Sequence, residues 1–298
     1  MVIFQRFQIG KLPMLSLIKR WIPQFIKDIY HNLWIKYVDI VYHSKEIDVN
    51  YDKLTIDDLC EHKETVLIRK HPKKIVRCKK CQIAFDVYRP ELKERDTSYD
   101  EKYFIETTHI RKEIFEERFP YLMCRAVLMW GINAHEFVPP NNRFLDVGCG
   151  VGMMLKLMQF FGLEVEGIEQ SQWAVEYCKR QLKVENVRCG EVIEANYPSD
   201  YFGMISLIHI LEHLDDPVPT LKEIYRILSP NGIVFGEVPY SEGLKDYGIS
   251  DHFWFYNEPA LKYLLSCIGF REILIKNGTN EPKMHNVPFL SFRAKKLK

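Results

Sequence analysis

Residues 144–155 read Phe-Leu-Asp-Val-Gly-Cys-Gly-Val-Gly-Met-Met-Leu, and no other stretch limits the fold so tightly. An apolar run enters Gly148-x-Gly150-x-Gly152, and a helical pattern follows at once. Glycines permit a tight turn and close approach to the backbone, while the helix start carries orphan N–H groups. Downstream, short apolar runs at 143–147, 164–168, 186–189, 203–208 and 232–237 alternate with helical patterns near 151–161, 171–182 and 217–228. That alternation predicts an α/β fold with a mostly parallel sheet wrapped by helices. Such sheets bind ligands at the carboxyl ends of their strands. Glu169 ends the second run, 21 residues after Gly148. A carboxylate there can accept hydrogen bonds from both hydroxyls of a ribose. The third glycine comes two residues after the second, which departs from the dinucleotide pattern G-x-G-x-x-G. Cys149 reads as a small side chain suited to a crowded loop, not as a nucleophile.

Further segments extend the pattern. They are G-I-E-Q-S-Q-W-A-V-E-Y-C (167–178), N-V-R-C-G-E (186–191), I-H-I-L-E-H-L-D-D-P (208–217), L-K-E-I-Y-R-I-L-S-P-N-G-I-V (221–234) and D-H-F-W-F-Y-N-E-P-A-L-K-Y-L-L-S-C-I-G-F (251–270). In order and content they resemble the class I S-adenosylmethionine-dependent methyltransferases, in the branch that acts on small molecules. The resemblance implies a Rossmann-like, seven-stranded, mostly parallel sheet with an antiparallel last strand. Its final hairpin is expected at 271–277 and 286–295. It implies S-adenosyl-L-methionine as cofactor, its methionine part held by Gly148, Gly150 and the adjoining backbone of Cys149 and Gly152. Asp146 would orient that loop, Glu169 would take the ribose, and Gln170 would lie beside the adenine. Glu191 or Val192 would face the adenine's other edge, and His209 would line the methionine end. Two residues depart from the pattern: Glu191 stands where Asp is common, and Phe202-Gly203 replaces a frequent Phe-Asp.

Methyl transfer from a sulfonium is an in-line displacement, accelerated largely by positioning. The protein need add only a base when the acceptor is a hydroxyl, an acidic carbon or a protonated amine. His209, Glu212, His213 and His252 fall in loops expected at the strand ends, and the resemblance, which gives His209 to the methionine end, implies that His213 and His252 face the acceptor. No Asn/Asp-Pro-Pro-Tyr-like segment follows the fourth strand of the domain, which argues against a base amino group of nucleic acid as acceptor. A small molecule fits better, methylated on O or C: a sugar, a lipid-linked intermediate or a compound of natural-product type.

The chain's formal net charge of +1 is a cancellation. Residues 1–107 hold 20 Lys/Arg and 16 Asp/Glu, and residues 108–298 hold 21 and 24. Three regions follow. Residues 1–45 are basic, with an amphipathic helix expected from Pro23 to about Tyr42. That helix either packs on the main domain or makes peripheral contact with an anionic membrane surface. Residues 46–107 form a small module, and residues 108–298 the methyltransferase-like domain, opened by a helical pattern at 107–137. In the module, Cys78-Lys79-Lys80-Cys81 can give two thiolates to zinc, whose structural sites want four ligands. Cys60 and His62 complete a chemically possible set. The resemblance adds that this branch often carries an N-terminal zinc-ribbon-like module, followed by a segment like Tyr99-Asp100-Glu101-Lys102-Tyr103-Phe104. Seven Lys/Arg lie between 69 and 80. They leave open a second class of function, a methyltransferase-like scaffold or RNA-binding protein. Charges, Pro13 and Pro23 interrupt the early apolar stretch, and scattered cysteines suit a reducing compartment, so the expectation is a cytoplasmic enzyme, membrane-associated if residues 1–45 take the second of their two readings.

Overall fold

The computed structural model describes residues 56–69, 73–87, 99–108, 139–240, 252–279 and 288–298. The amphipathic helix expected near 23–42 and the pattern at 109–137 lie outside the described residues.

The alternation of apolar runs builds a seven-stranded sheet. Its strands are β4 (Arg143–Val147), β5 (Glu164–Glu169), β6 (Val187–Cys189), β7 (Phe202–Ile208), β8 (Leu228–Pro239), β10 (Arg271–Thr279) and β11 (Pro288–Lys295). The order across the sheet is β10-β11-β8-β7-β4-β5-β6. Pairs β4·β5, β4·β7, β5·β6 and β7·β8 are parallel, and β11 runs antiparallel to both β8 and β10. This is the expected sheet, including its closing hairpin. Central strands carry apolar residues on both faces because helices cover both.

The helices are α3 (Met153–Phe160), α4 (Gln172–Leu182), α5 (Pro217–Ile227) and α6 (Glu258–Ile268). Three begin at side-chain caps that satisfy orphan amides. Ser171 accepts from Ala174 N, Asp216 from Val218 N and Asn257 from Ala260 N. One core face joins Leu145, Ile205, Leu207, Leu221, Ile224 and Leu264; the other joins Phe144, Leu155, Met158, Val175 and Phe235.

Gly203 has a steric reason to replace an acid. A Cβ there would lie 2.3 Å from the Asn141 carbonyl oxygen and 2.9 Å from its side-chain oxygen. No side chain fits without moving backbone, so the missing carboxylate reflects packing at the start of β7.

A second, four-stranded sheet has the order β1-β2-β3-β9, with β1 (Thr65–Arg69), β2 (Ile75–Cys78), β3 (Ala84–Asp86) and β9 (Trp254–Phe255). A short helix, α1 (Ile56–Leu59), precedes it. Its last strand comes from the C-terminal half of the chain, through Ala84↔Phe255 and Phe85↔Trp254. The small module is therefore stitched to the main sheet's loops. Ile47–Lys298 forms one compact unit.

Candidate active site

The glycine loop joins β4 to α3, with Gly148, Gly150 and Gly152 all in the left-handed region (φ 68, 51 and 78). Residues with a Cβ are strained there, which explains the three glycines. The loop's amides turn inward. Gly148 N and Cys149 N both donate to the Ile168 carbonyl, at 2.8 and 3.1 Å, and Gly152 N donates to Cys149 O. Gly150 N donates to Glu169 Oε2 at 2.8 Å, and Ser171 N to Glu169 Oε1 at 2.9 Å. Cys149 packs its side chain inward with Leu155 and Cys178. The Cys178 contact and burial push its thiol well above its ordinary range.

Beneath the loop lies Asp146, 3% exposed, accepting from the Ser206 hydroxyl. Burial pushes its carboxyl up to about 7; the Ser206 hydrogen bond opposes this and the Glu169 charge adds to it. Asp146 thus sits at the strand end just before the loop, bonded to Ser206 of the neighbouring strand. Glu169 is also buried, at the end of β5. Beyond it, Gln170 Nε2 donates to Glu191 Oε1 at 3.0 Å, so the two residues expected around the adenine stand together at the surface. Val192 is packed in the core at 2% exposure.

One segment that the sequence reading tied only to the small module packs against the glycine loop. Helix α2 (Glu101–Thr108) lies over the loop, with Phe104 buried against Val151 and Ala174. Phe104 stacks on Trp173, ring centroids 5.6 Å apart, and Ser171 Oγ donates to the Tyr99 carbonyl. The segment Tyr99–Phe104 covers the cofactor side of the domain. Its sequence signal was the resemblance of Tyr99–Phe104 to the segment that follows the module in this branch, which says nothing of where it packs.

At the ends of β7 and β8 the histidine candidates converge on one carboxylate. Glu212 is 1% exposed. His209 Nδ1 stands 3.2 Å from Glu212 Oε1, His213 Nε2 stands 4.0 Å from the same oxygen, and the His213 and His252 rings meet edge to face at 4.7 Å. Ligand-capable atoms of Glu212, His213 and His252 lie within 4.8 Å of one another. Burial pushes the Glu212 carboxyl up, but the His209 hydrogen bond and the charges of His209, His213 and His252 outweigh it and hold it below its ordinary range. A second buried carboxylate, Glu237 on β8, comes within 4.0 Å of His209 Nε2. The sequence reading passed over Glu237, because an acid inside an apolar strand carries no motif of its own. His209 takes a left-handed backbone (φ 55) as its amide reaches Glu237 O.

The residues after His252 pin this loop. Phe253 N and Trp254 N donate to Glu212 O, Trp254 Nε1 donates to Leu214 O at 2.7 Å, and Tyr256 Oη to Leu211 O.

The sequence profile described as Methyltransferase domain matches residues 115–274, more than half of the 298-residue chain. The chain belongs to this methyltransferase family. It is 27% identical over 149 residues to a ubiquinone biosynthesis O-methyltransferase of Thiobacillus denitrificans, covering 47% of this chain and 56% of that protein. A methyltransferase of Schizosaccharomyces pombe is 30% identical over 112 residues, 33% of this chain and 40% of that one. The chain spans about half the length of these relatives. A S-adenosylmethionine-dependent methyltransferase from Archaeoglobus fulgidus has the same fold, with a TM-score of 0.51 at 20% identity over 66% of this chain and 100% of that one.

The family cofactor, S-adenosylmethionine, fits the residues present. With Gly148, Cys149 and Gly150 amides spent inside the turn, the loop does not offer them to a phosphate, as a dinucleotide site does. Two buried acids below it suit a ligand bearing positive charge instead. Glu169 uses two of about four acceptor positions on backbone amides, which leaves lone pairs that a ribose diol would fit.

The four thiol and imidazole candidates for zinc also come together. Cys60, His62, Cys78 and Cys81 place one ligand atom each within 4.8 Å of all the others. Cys60 Sγ and Cys78 Sγ are 3.5 Å apart, and Cys81 Sγ is 3.5 Å from His62 Nδ1. Two thiolates on one tetrahedral zinc stand about 3.8 Å apart, given Zn–S bonds of about 2.3 Å. Burial raises the Cys78 thiol, but amides of Cys81 and Lys80 and the neighbouring thiols hold it below its ordinary range. Among the described residues no helix is long and apolar enough to cross a membrane.

Proposed function

We propose that the chain transfers a methyl group from S-adenosylmethionine to a hydroxyl or acidic carbon of a small molecule. The observation that carries this reading is the buried Glu212 carboxylate facing three imidazoles at the carboxyl ends of β7 and β8. S-adenosylmethionine, when bound, supplies a methyl group on a positively charged sulfur. The chain's own residues do the rest. Glu169 holds the ribose, Gln170 and Glu191 flank the adenine, and the glycine loop over Asp146 orients the methionine part. His209, tethered between Glu212 and Glu237, closes the methionine end. One of the paired imidazoles His213 and His252 receives the acceptor's single proton, and the Glu212 charge steadies the imidazolium that forms. The O-methyltransferase name of the Thiobacillus denitrificans relative supports a hydroxyl acceptor, as on a phenol or sugar.

The test is incubation of a cell extract with the protein and methyl-deuterated S-adenosylmethionine, followed by untargeted mass spectrometry. A deuteromethylated small molecule is expected. Label found in RNA or protein alone would overturn the reading.

A further inference from the structure

We propose that Cys60, His62, Cys78 and Cys81 take one zinc ion, and that this ion fixes the acceptor side of the active site through β9. The second half of this statement rests on the methyltransferase reading above; the first does not.

The four ligands belong to two chain segments, and each segment is tied to a different side of the catalytic loop. The first segment, 60–62, follows α1. Ile56 N donates to Asp216 Oδ2 at 3.2 Å, and Tyr263 Oη donates to the Leu59 carbonyl at 2.7 Å. Asp216 is itself the cap of α5, which leaves the catalytic loop. The second segment, 78–81, leads from β2 into β3, and β3 pairs with β9. Strand β9 and its neighbours donate the hydrogen bonds that hold Leu211, Glu212 and Leu214. Lys73 strengthens this link. Its ammonium donates to the His252 carbonyl at 2.9 Å and sits 3.4 Å from the buried Asp86 carboxylate. Asp86 N in turn donates to Phe253 O.

Holding 60–62 against 78–81 therefore closes a ring of contacts around residues 209–216. Within the small sheet, Cys60, Cys78, Cys81 and Ile83 are buried, and Phe85 spans from His62 (5.1 Å) to Trp254 (6.0 Å). His62 turns Nδ1 toward the cysteines, and its Nε2 lies 3.9 Å from the Asp57 carboxylate, an ion-pair distance longer than the outer-sphere hydrogen bond that metal-bound imidazoles favour. On binding, three Zn–S bonds and one Zn–N bond form, and the cysteine thiols release their protons to solvent. Lys73 is a positioning residue in this scheme. It touches no reacting atom, but it sets the backbone of His252.

The test uses the full chain and needs no acceptor. Elemental analysis should find one zinc per chain, and cobalt(II) loaded after chelation should show the visible absorption of a tetrahedral thiolate site. Amide hydrogen exchange, read by mass spectrometry, then compares zinc-loaded and chelated protein. Removing the metal should speed exchange about tenfold or more in 209–216 and 253–257, leave 144–152 unchanged, and reverse when zinc is restored. Lys73→Met should keep its zinc and speed exchange at 252–255 alone. Affinity for S-adenosylhomocysteine should be the same with and without zinc. A chain that binds neither zinc nor cobalt overturns the proposal. So does exchange at 253–257 that ignores the metal, or exchange that rises equally at 144–152. Loss of S-adenosylhomocysteine binding with the exchange pattern intact would sink the methyltransferase reading and leave the metal site standing.

Discussion

Asp146→Asn isolates the electrostatic cost of placing an acid under the glycine loop. Burial, with help from the Glu169 charge and against the Ser206 hydrogen bond, pushes the Asp146 carboxyl from its ordinary 3.8 up to about 7. The folded chain therefore binds this proton more tightly than the unfolded chain. Between the two values the folded state carries the extra proton, so stability falls as pH rises. At 1.36 kcal/mol per pKa unit, the penalty grows from about 1.7 kcal/mol at pH 5 to about 4.3 kcal/mol at pH 8. Asparagine keeps the shape and the acceptor for Ser206 but has no charge to bury. Urea unfolding of both proteins at pH 5, 6, 7 and 8 is the assay. The stability of the variant relative to wild type should climb by about 2.6 kcal/mol from pH 5 to pH 8. A difference flat within about 0.5 kcal/mol, near the error of such extrapolations, would refute the reasoning.

Two further perturbations address other parts of the account. Glu212→Gln removes the charge that braces His209 and steadies His213 and His252. Methyl transfer to the labelled product should slow by about 10²-fold while calorimetric affinity for S-adenosylhomocysteine holds; an unchanged rate would remove Glu212 from the machinery. Gly203→Asp restores the acid common at that position, but its Cβ meets the Asn141 carbonyl. It should lose about 1–3 kcal/mol in urea unfolding, and a neutral result would show that the 140–143 backbone yields freely.

The sheet was legible because its signals are local and periodic. Runs such as Arg143–Val147 and Phe202–Ile208, bounded by glycines and caps like Ser171 and Asp216, declare strand and helix within a dozen residues. The strand boundaries shifted by few residues, and β8 alone began well before its expected start, because Leu228 already pairs with Phe202 and the ladder resumes at Ile233↔Met204 past an irregularity at Ser229-Pro230-Asn231-Gly232. Cysteine and histidine identity was enough to name four residues of the small module that the fold brings within 4.8 Å of one another, although Cys60-x-His62 is an unusual spacing. What stayed hidden depends on contacts between residues far apart in the chain. β9 has only two residues, and its pairing with β3 spans about 170 positions. Glu237 became part of the site only when β8 set it beside His209. The inward turn of the loop amides was equally invisible, since Ile168 O is an acceptor that any residue could supply.

The central claim is that the loop over Asp146, with Glu169 beside it, holds S-adenosylmethionine. Isothermal titration with S-adenosylhomocysteine tests it most directly, on the wild-type chain and on Glu169→Ala. One binding site per chain is expected, weakened about 10–100-fold by the substitution, since a buried charged acceptor of the ribose is lost. Absence of binding at millimolar ligand, or equal binding by both proteins, would contradict the account.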